Sequence, residues 1–289
     1  MPFPPGGNID ATARIVANGL AEQLGVSVIV ENRPGAAGMV GSEYVAKAPP
    51  DGYTSLLGST GSFAPGKALN PSIPLDPVKD FVAASPITRA PLVLSVNRSI
   101  PVNSVAELIA YAKAHPGKLT VASSGTGTAA HLTAEYFQTM SGVKFLHVPY
   151  KGSGPAISDL IGGQVDMTFD QLASSLPQIQ AGKLHALGVT TLQRTPLMPD
   201  LPTLAESGLP GFESSTTTAL MFPAGTPRPV IDRVNAAMRV VLANPDTRQK
   251  FAALGSDVLI GSGDDFDVIL RGEMNKWAQV VNAAGIKLP

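Results

Sequence analysis

One stretch of the chain decides the fold: residues 119–171 read LTVASSGTGTAAHLTAEYFQTMSGVKFLHVPYKGSGPAISDLIGGQVDMTFDQ. Short apolar runs alternate here with amphipathic stretches that begin at glycine-rich loops. This alternation predicts strands separated by helices, and hence an α/β fold with mostly parallel sheets. A weaker copy of the same order of loops, helices and strands runs through residues 4–59. The repeat indicates two lobes of similar topology, with ligands beyond the carboxyl ends of the strands.

The first copy predicts one long helix followed by a strand. Apolar residues at helical spacing place the helix from Ile9 to Leu24. Asn8 is suited to cap its first turn, and Gly25 supplies the stop. The apolar run 26–30 that follows is typical of a strand.

Later segments give further boundaries. Residues 53–57 and 92–96 are predicted strands, and the polar residues 59–62 are predicted to form a loop. Ser104 and Glu107 have capping-box spacing, which predicts a helix that begins there.

Composition excludes several classes of protein. The 289 residues are 44% hydrophobic and 15% charged, which favours a folded protein with a sizeable core. The net charge of -1 offers no basic face for nucleic acid, and the absence of cysteine excludes disulfides and thiolate chemistry. Four scattered histidines give no zinc spacing, so we expect no metal site. No apolar run is long enough to span a bilayer.

Because the chain enters a Pro/Gly loop at once, we expect that an export signal and most of a first strand were removed.

Two glycine-rich loops are the main candidate binding elements, because each leads into the first turn of a predicted helix. Free backbone N–H groups and the positive end of the helix dipole suit such a loop to an anion. The ordinary alternative is a pair of strand-to-helix turns. The candidate residues are Pro5, Gly6, Gly7 and Asn8 in the first loop, Ser59 and Thr60 after a strand, and Ser123, Ser124, Gly125, Thr126, Gly127 and Thr128 in the second loop.

Four further side chains are candidate ligand contacts. His131 lies in the first turn of a helix, Tyr150 and Lys151 open another helix, and Asp170 follows a strand. His131 and Asp170 could be imagined as an acid/base pair, but each has an ordinary role as a hydrogen-bonding or capping residue. Since no nucleophile motif occurs, we predict no catalytic residue and no cofactor.

The second loop also fits a dinucleotide-binding pattern. Residues 125–130 (GTGTAA) match GxGxx(G/A) between a strand and a helix. That pattern requires an acidic residue at the end of the next strand, where this chain has Pro149, Tyr150 and Lys151. A nucleotide-dependent enzyme that uses the Gly125–Gly127 loop is therefore the alternative from a different class.

A set of short motifs resembles the Bug-type (TctC-like) solute-binding proteins of tripartite tricarboxylate transporters. Each motif is modest, but their order and spacing are specific and cover essentially the whole chain. They are PFPPGG (2–7) with Asp10 and Arg14, VENRPGAAG (30–38), APPDGYTSLL (48–57), DPVKDF (76–81), HVPYKG (147–152), GGQVDMTFD (162–170), AGKL (181–184), PAGTP (223–227) and the ending 277–289.

The resemblance implies a type II periplasmic binding protein fold, with two Rossmann-like lobes and a ligand cleft between them. Lobe 1 would comprise residues 1–97 and 225–289, and lobe 2 residues 98–224. The implied function is capture of a small mono- or dicarboxylate in the periplasm and its delivery to the membrane subunits of the transporter. A carboxylate sensor lobe that signals to a receptor is a further alternative. No sequence feature argues for an oligomer, so we expect a monomer that does not bind nucleic acid.

Overall fold

The computed structural model describes residues 1–70 and 73–285. Its helices are α1 (Asn8–Leu24), α2 (Met39–Ala46), α3 (Thr60–Leu69), α4 (Val105–Ala114), α5 (Ala129–Ser141), α6 (Ser153–Ile161), α7 (Leu172–Gln180), α8 (Arg228–Ala243), α9 (Pro245–Ala253) and α10 (Gly263–Ala284). Its strands are β1 (Leu56–Ser59), β2 (Phe81–Asn97), β3 (Thr120–Ser123), β4 (Leu146–Pro149), β5 (Met167–Gln171), β6 (Leu184–Val189), β7 (Ser215–Pro223) and β8 (Asp257–Val258).

The chain divides into two units. Unit 1 comprises residues 1–89 and 217–278, and unit 2 comprises residues 90–216 with 279–285 of the described chain. The lobe boundaries implied by the resemblance, 1–97 with 225–289 and 98–224, remain a prediction. Residues 286–289 of that prediction lie outside the described chain.

Unit 1 is built on antiparallel strands covered by helices. β1 pairs antiparallel with β7, and β8 pairs antiparallel with β2 at Thr88 and Arg89. Its largest apolar cluster packs the buried stripe of α1, including Val16 and Leu20, against α8, including Val234 and Met238. The apolar periodicity of α1 follows from this packing, because only one face of the helix is covered.

The predicted strand at 26–30 is not present. Val28 and Val30 pack on the core of unit 1, but Val26 is 56% and Ile29 87% exposed. No described strand pairs with this segment, although Met1 exchanges two backbone hydrogen bonds with residues 31 and 33 nearby. The side chains therefore alternate as in a strand, while the neighbour that would complete a ladder is absent from the described residues.

Unit 2 contains the predicted parallel arrangement. β3 lies between β4 and β5 and is parallel to both, so the carboxyl ends of these three strands meet at one edge. The second half of β2 pairs antiparallel with β5 and β6. The expectation of mostly parallel sheets is thus met only for β4, β3 and β5. The main core of unit 2 surrounds Phe137 and Phe169, which hold α5 against this sheet.

Most predicted helix ends are confirmed. Gly25 follows α1 in the left-handed conformation, with φ of 68°, as a helix stop requires. The Ser104 hydroxyl accepts the Glu107 N–H at 3.1 Å, while the Glu107 carboxylate accepts the Asn103 N–H at 2.7 Å. Two details differ: Gly7, not Asn8, occupies the capping position of α1, and the predicted loop at 59–62 is instead the end of β1 and the start of α3. None of the described helices is long and apolar enough to cross a membrane.

Candidate functional site

In unit 1, the loop before α1 is held in place by a buried carboxylate. Asp10 is 4% exposed and accepts hydrogen bonds from the Gly6 N–H at 3.0 Å, from the Arg14 guanidinium at 3.0 and 3.2 Å, and from the Asn32 amide at 2.8 Å. Burial alone would raise the pKa of Asp10, but the hydrogen bonds from Arg14, Asn32 and Gly6 outweigh it and hold that pKa below its ordinary value. The Asn32 amide also donates to the Phe3 carbonyl. The positive charge of Arg14 is thereby paired with the carboxylate of Asp10.

The tip of this loop is open and without bulky side chains. Pro5, Gly6 and Gly7 are exposed, and Asn8 is half-buried. Gly6 has φ of 92°, whereas Gly7 is extended with φ of -84° and ψ of 170°. No side chain caps the first turn of α1, and the Oδ1 atom of Asn8 is buried without a partner among the described residues. The loop therefore keeps the close backbone approach that an anion site requires.

Ser59 and Thr60 take structural positions at the end of β1. The Ser59 hydroxyl caps α3 by accepting the Gly61 N–H at 3.1 Å. The Thr60 hydroxyl accepts the Thr217 N–H at 3.0 Å. Each residue is 1% exposed, so both hydroxyls serve the fold of unit 1.

In unit 2, the second glycine-rich loop lies at the carboxyl edge of the parallel strands. It makes a compact turn in which the Thr128 hydroxyl donates to the Gly125 carbonyl at 2.7 Å. Thr128 also caps α5, through a 3.4 Å hydrogen bond from the His131 N–H. Gly125 and Gly127 have φ of 141° and 79°, which explains the two glycines. Thr126 is exposed at the tip, whereas Ser124 and Gly125 are half-buried.

Two stacked imidazoles, those of His131 and His147, form hydrogen bonds with residues of this loop. His131 and His147 have ring centroids 4.0 Å apart and nearly parallel planes. The Gly127 N–H donates to His131 Nδ1 at 3.2 Å, so the neutral His131 ring carries its proton on Nε2. The Ser123 hydroxyl lies 2.7 Å from His147 Nε2. Burial and the neighbouring His147 lower the pKa of His131 to about 4, and burial lowers the pKa of His147 as well.

This histidine pair is not arranged for catalysis. The Ser123 hydroxyl close to His147 is completely buried and also bonds to Gly125 within its own loop. The nearest carboxylate to His131, that of Glu135, lies 3.9 Å from Nε2, which is beyond hydrogen-bonding distance. Among the described residues, no group of three potential metal ligands occurs.

The loop before α6 joins the same edge. The Tyr150 N–H donates to the Ser123 carbonyl at 3.0 Å, and the Gly152 N–H donates to the Ser124 carbonyl at 3.1 Å. The Tyr150 hydroxyl donates to the Asp159 carboxylate at 2.7 Å, and burial together with this carboxylate raises the pKa of Tyr150 to about 12. Tyr150 is therefore a neutral positioning group, while Lys151 is exposed beside it.

Asp170 is the most unusual group at this edge. It is 3% exposed and accepts the Ser153 hydroxyl at 2.7 Å through Oδ1. Its Oδ2 atom is buried and has no hydrogen-bond partner among the described residues. Burial raises the pKa of Asp170 to about 6, although the Ser153 hydroxyl and the Gln171 N–H act in the opposite direction.

Comparison with known proteins decides the family. Residues 12–286 match the tripartite tricarboxylate transporter family receptor. The chain belongs to this receptor family. Among curated relatives, the receptor is 39% identical to Protein BugT of Bordetella pertussis, over 100% of its own length and 89% of the relative's.

Three solved structures are similar to the receptor over almost its whole length. R. palustris Rpa4515 with adipate has a TM-score of 0.94 at 38% identity, covering 99% of this chain and 96% of that one. The periplasmic binding protein BugD has a TM-score of 0.90 at 35% identity, with 99% and 96% covered. MatC (Rpa3494) from Rhodopseudomonas palustris with bound malate has a TM-score of 0.89 at 33% identity, with 97% and 96% covered. These findings confirm the predicted periplasmic binding protein fold, in a family of receptors and not of enzymes.

Sequence reasoning missed the residues that position the receptor's loops. Asn32 and His147 lie inside motifs that carried the family resemblance, yet nothing local marked them as loop supports. Ser153, the first residue of α6, has no sequence feature that marks it as a site residue, although its hydroxyl donates to Asp170. The motif itself was the available signal, because an asparagine and a histidine next to glycine-rich loops are suited to hydrogen-bond backbone groups.

Proposed function

We propose that the receptor is a monomeric periplasmic solute-binding protein that captures a small mono- or dicarboxylate and delivers it to tripartite tricarboxylate transporter subunits in the membrane. The observation that carries this proposal is the likeness to two structures with carboxylates, adipate and malate, at TM-scores of 0.94 and 0.89. The match to the receptor family over residues 12–286 supports the transporter partnership and the location.

The chemistry of the two loops supports an anionic ligand. Each loop leads into a helix of more than ten residues whose positive dipole end faces the loop. Thr126 and the half-buried Ser124 add hydroxyl donors, while Arg14 is already paired with Asp10. Taken separately, each loop thus offers an anion a helix dipole and neutral donors. Three charge-assisted hydrogen bonds would contribute about 5–9 kcal/mol gross. Lost freedom of motion on binding opposes this by about 4–15 kcal/mol, so moderate affinity is expected.

The capture step is tested by thermal unfolding with a carboxylate panel. A ligand at a hundred times its Kd stabilises the folded form by about 2.7 kcal/mol, which should raise Tm by several degrees. Linear dicarboxylates of four to six carbons should therefore shift Tm, and the diamides of the same skeletons serve as matched controls. Stabilisation by neutral sugars or by NAD(P), with none from any carboxylate, would refute capture of a carboxylate.

The delivery step needs a separate measurement. Uptake of a radiolabelled carboxylate that binds the receptor should depend on the receptor in cells that carry the membrane subunits. The Gly7→Val variant, which we expect to bind the carboxylate more weakly, provides the control for uptake. Tight binding without any receptor-dependent uptake would favour the sensor alternative instead.

A further inference from the structure

We propose that Asp170 is a specificity-determining residue that accepts a hydrogen bond from a hydroxyl or ammonium group of the carboxylate ligand. The receptor would then select hydroxy- or amino-carboxylates over unsubstituted ones. This inference rests on the proposed function and adds the chemical class of the ligand's second polar group.

The first argument is the unmet hydrogen-bonding capacity of a buried charge. Asp170 is 97% buried, and its Oδ2 atom has no hydrogen-bond partner among the described residues, while Oδ1 accepts the Ser153 hydroxyl. None of the ion pairs among the described residues involves Asp170. A buried carboxylate oxygen without a donor is costly, so native structures supply one. A ligand donor meets this need at Oδ2, whereas a ligand carboxylate would be repelled there.

The second argument is the position of Asp170 within unit 2. Ala122 on β3 is level with Thr168 on β5, which places Asp170, two residues further along β5, near the edge of the sheet where β3 ends at Ser123. The Ser124 carbonyl accepts the Gly152 N–H, and the next residue, Ser153, donates to Asp170. Asp170 is thus tied through one short chain of contacts to the loop that we assign to the ligand carboxylate.

The third argument is that the surroundings of Asp170 favour its ionised form and leave Oδ2 able to accept a hydrogen bond. No side chain caps α6 or α7, the two helices that begin next to Asp170. Their positive dipole ends favour the ionised form of Asp170 without occupying Oδ2. Burial opposes the ionisation of Asp170, so a donor that hydrogen-bonds Oδ2 would stabilise the carboxylate. Ligands that carry such a donor would therefore bind more tightly than ligands without one.

The experiment compares ligands that differ only in the donor. Isothermal titration calorimetry is performed with succinate, malate and aspartate, and with adipate, 2-hydroxyadipate and 2-aminoadipate. For the chain length that binds, at least one donor-bearing ligand should bind wild type about ten- to a hundredfold more tightly than its unsubstituted partner. In Asp170→Ala this ratio should fall to about one, because the acceptor is gone.

Two variants separate a specificity role from a structural one. Asp170→Asn retains an acceptor oxygen but not the charge, so it should lose the preference for ammonium before that for hydroxyl, and it remains informative should the alanine variant not fold. Thr168→Val is the matched control: it is on the same face of β5, and its hydroxyl donates to the Ala122 carbonyl. Its ratio should equal that of wild type.

The outcomes are distinguishable. Equal affinity of wild type for ligands with and without a donor, or a preference that survives Asp170→Ala, would overturn the assignment of Asp170 while the carboxylate function stands. Equal weakening of all ligands by Asp170→Ala would show that Asp170 only supports the fold of the loop. If no carboxylate binds wild type, the proposed function itself fails, and the role of Asp170 fails with it.

Discussion

Replacing Gly7 by valine is the sharpest test of the loop before α1. A Cβ atom built at Gly7 meets no protein atom within 4 Å, and the residue has the extended backbone that valine favours. The substitution therefore requires no rearrangement of the protein. Any loss of binding must come from methyl groups that stand where a ligand would approach the backbone of the first turn.

The substitution should weaken binding while leaving stability almost unchanged. Loss of one charge-assisted hydrogen bond costs about 1.5–3 kcal/mol, so affinity for a carboxylate should fall about ten- to a hundredfold. Stability should change little, because the gain of about 0.4–1 kcal/mol from restricting the unfolded chain is offset by the poorer preference of valine for the capping position of α1 that Gly7 occupies. A combination of weaker binding and nearly unchanged Tm is difficult to explain by misfolding.

The assay is calorimetric titration with the carboxylate that gives the largest thermal shift, together with urea unfolding of the same preparations. Gly272→Val is the matched control, since Gly272 lies on α10 in unit 1 and also has open space around an added Cβ. The control should bind as wild type does. Wild-type affinity in folded Gly7→Val would refute the assignment of this loop to the ligand. Gly127 is a poorer position for the test, because its φ of 79° would strain valine regardless of any ligand.

Two further predictions concern stability. Between pH 6.5 and 4 the His131 contribution to stability should fall by up to roughly 3 kcal/mol, because the unfolded state binds a proton that the folded state, with a pKa of about 4, does not. Urea unfolding at each pH should show wild type losing up to this amount relative to His131→Gln on acidification, and a difference that does not change with pH would contradict this contribution. Ser104→Ala should lower stability by about 1 kcal/mol, since the Glu107 N–H loses its capping acceptor. A Tm equal to that of wild type would show that this cap contributes nothing.

Helix ends were predictable because their causes are local. Gly25 and the Ser104 capping box act within a few residues of the helix that each one ends or begins, and the structure confirms both. Helices α3 and α7, which the sequence did not predict, were missed for a local reason as well. α3 contains Pro65 and α7 contains Pro177, and a proline inside a short polar stretch normally indicates a loop. Tertiary packing outweighs that preference, since Phe63 on α3 and Leu176 on α7 are buried.

Strands were less predictable because a strand depends on a partner that is distant in sequence. Residues 26–30 have the alternation of a strand, but no described residue completes their ladder. The segment predicted at 53–57 forms β1 at 56–59, where pairing with β7 fixes the register. The parallel edge of unit 2 was correctly foreseen, because three apolar runs separated by helices leave few other topologies.

The candidate loops were identified from glycines, but their working donors depend on contacts that no local pattern reveals. The Gly6 N–H is already bonded to Asp10, and the Gly127 N–H to His131. Asp10 is four residues after Gly6, and His131 is four residues after Gly127. In both loops, then, a side chain from the first turn of the helix folds back onto the glycine. A sequence search for anion loops should therefore ask which backbone N–H groups such a side chain already uses.

His131 and Asp170, which are both buried in unit 2, change the stability of the fold with pH in opposite directions. This affects how any profile of stability against pH is interpreted. Asp170, with a pKa raised to about 6 from an ordinary 3.8, takes up a proton in the folded state first, so acidification through pH 6 to 4 stabilises the fold. His131 has the reverse sign over nearly the same interval. Wild-type stability can therefore be almost flat with pH while both groups are strongly perturbed. A bound donor on Asp170 Oδ2 would stabilise the ionised carboxylate, lower its pKa and remove one side of this balance. Ligand-bound receptor should consequently lose more stability on acidification than free receptor does, which a pH series with and without ligand would reveal.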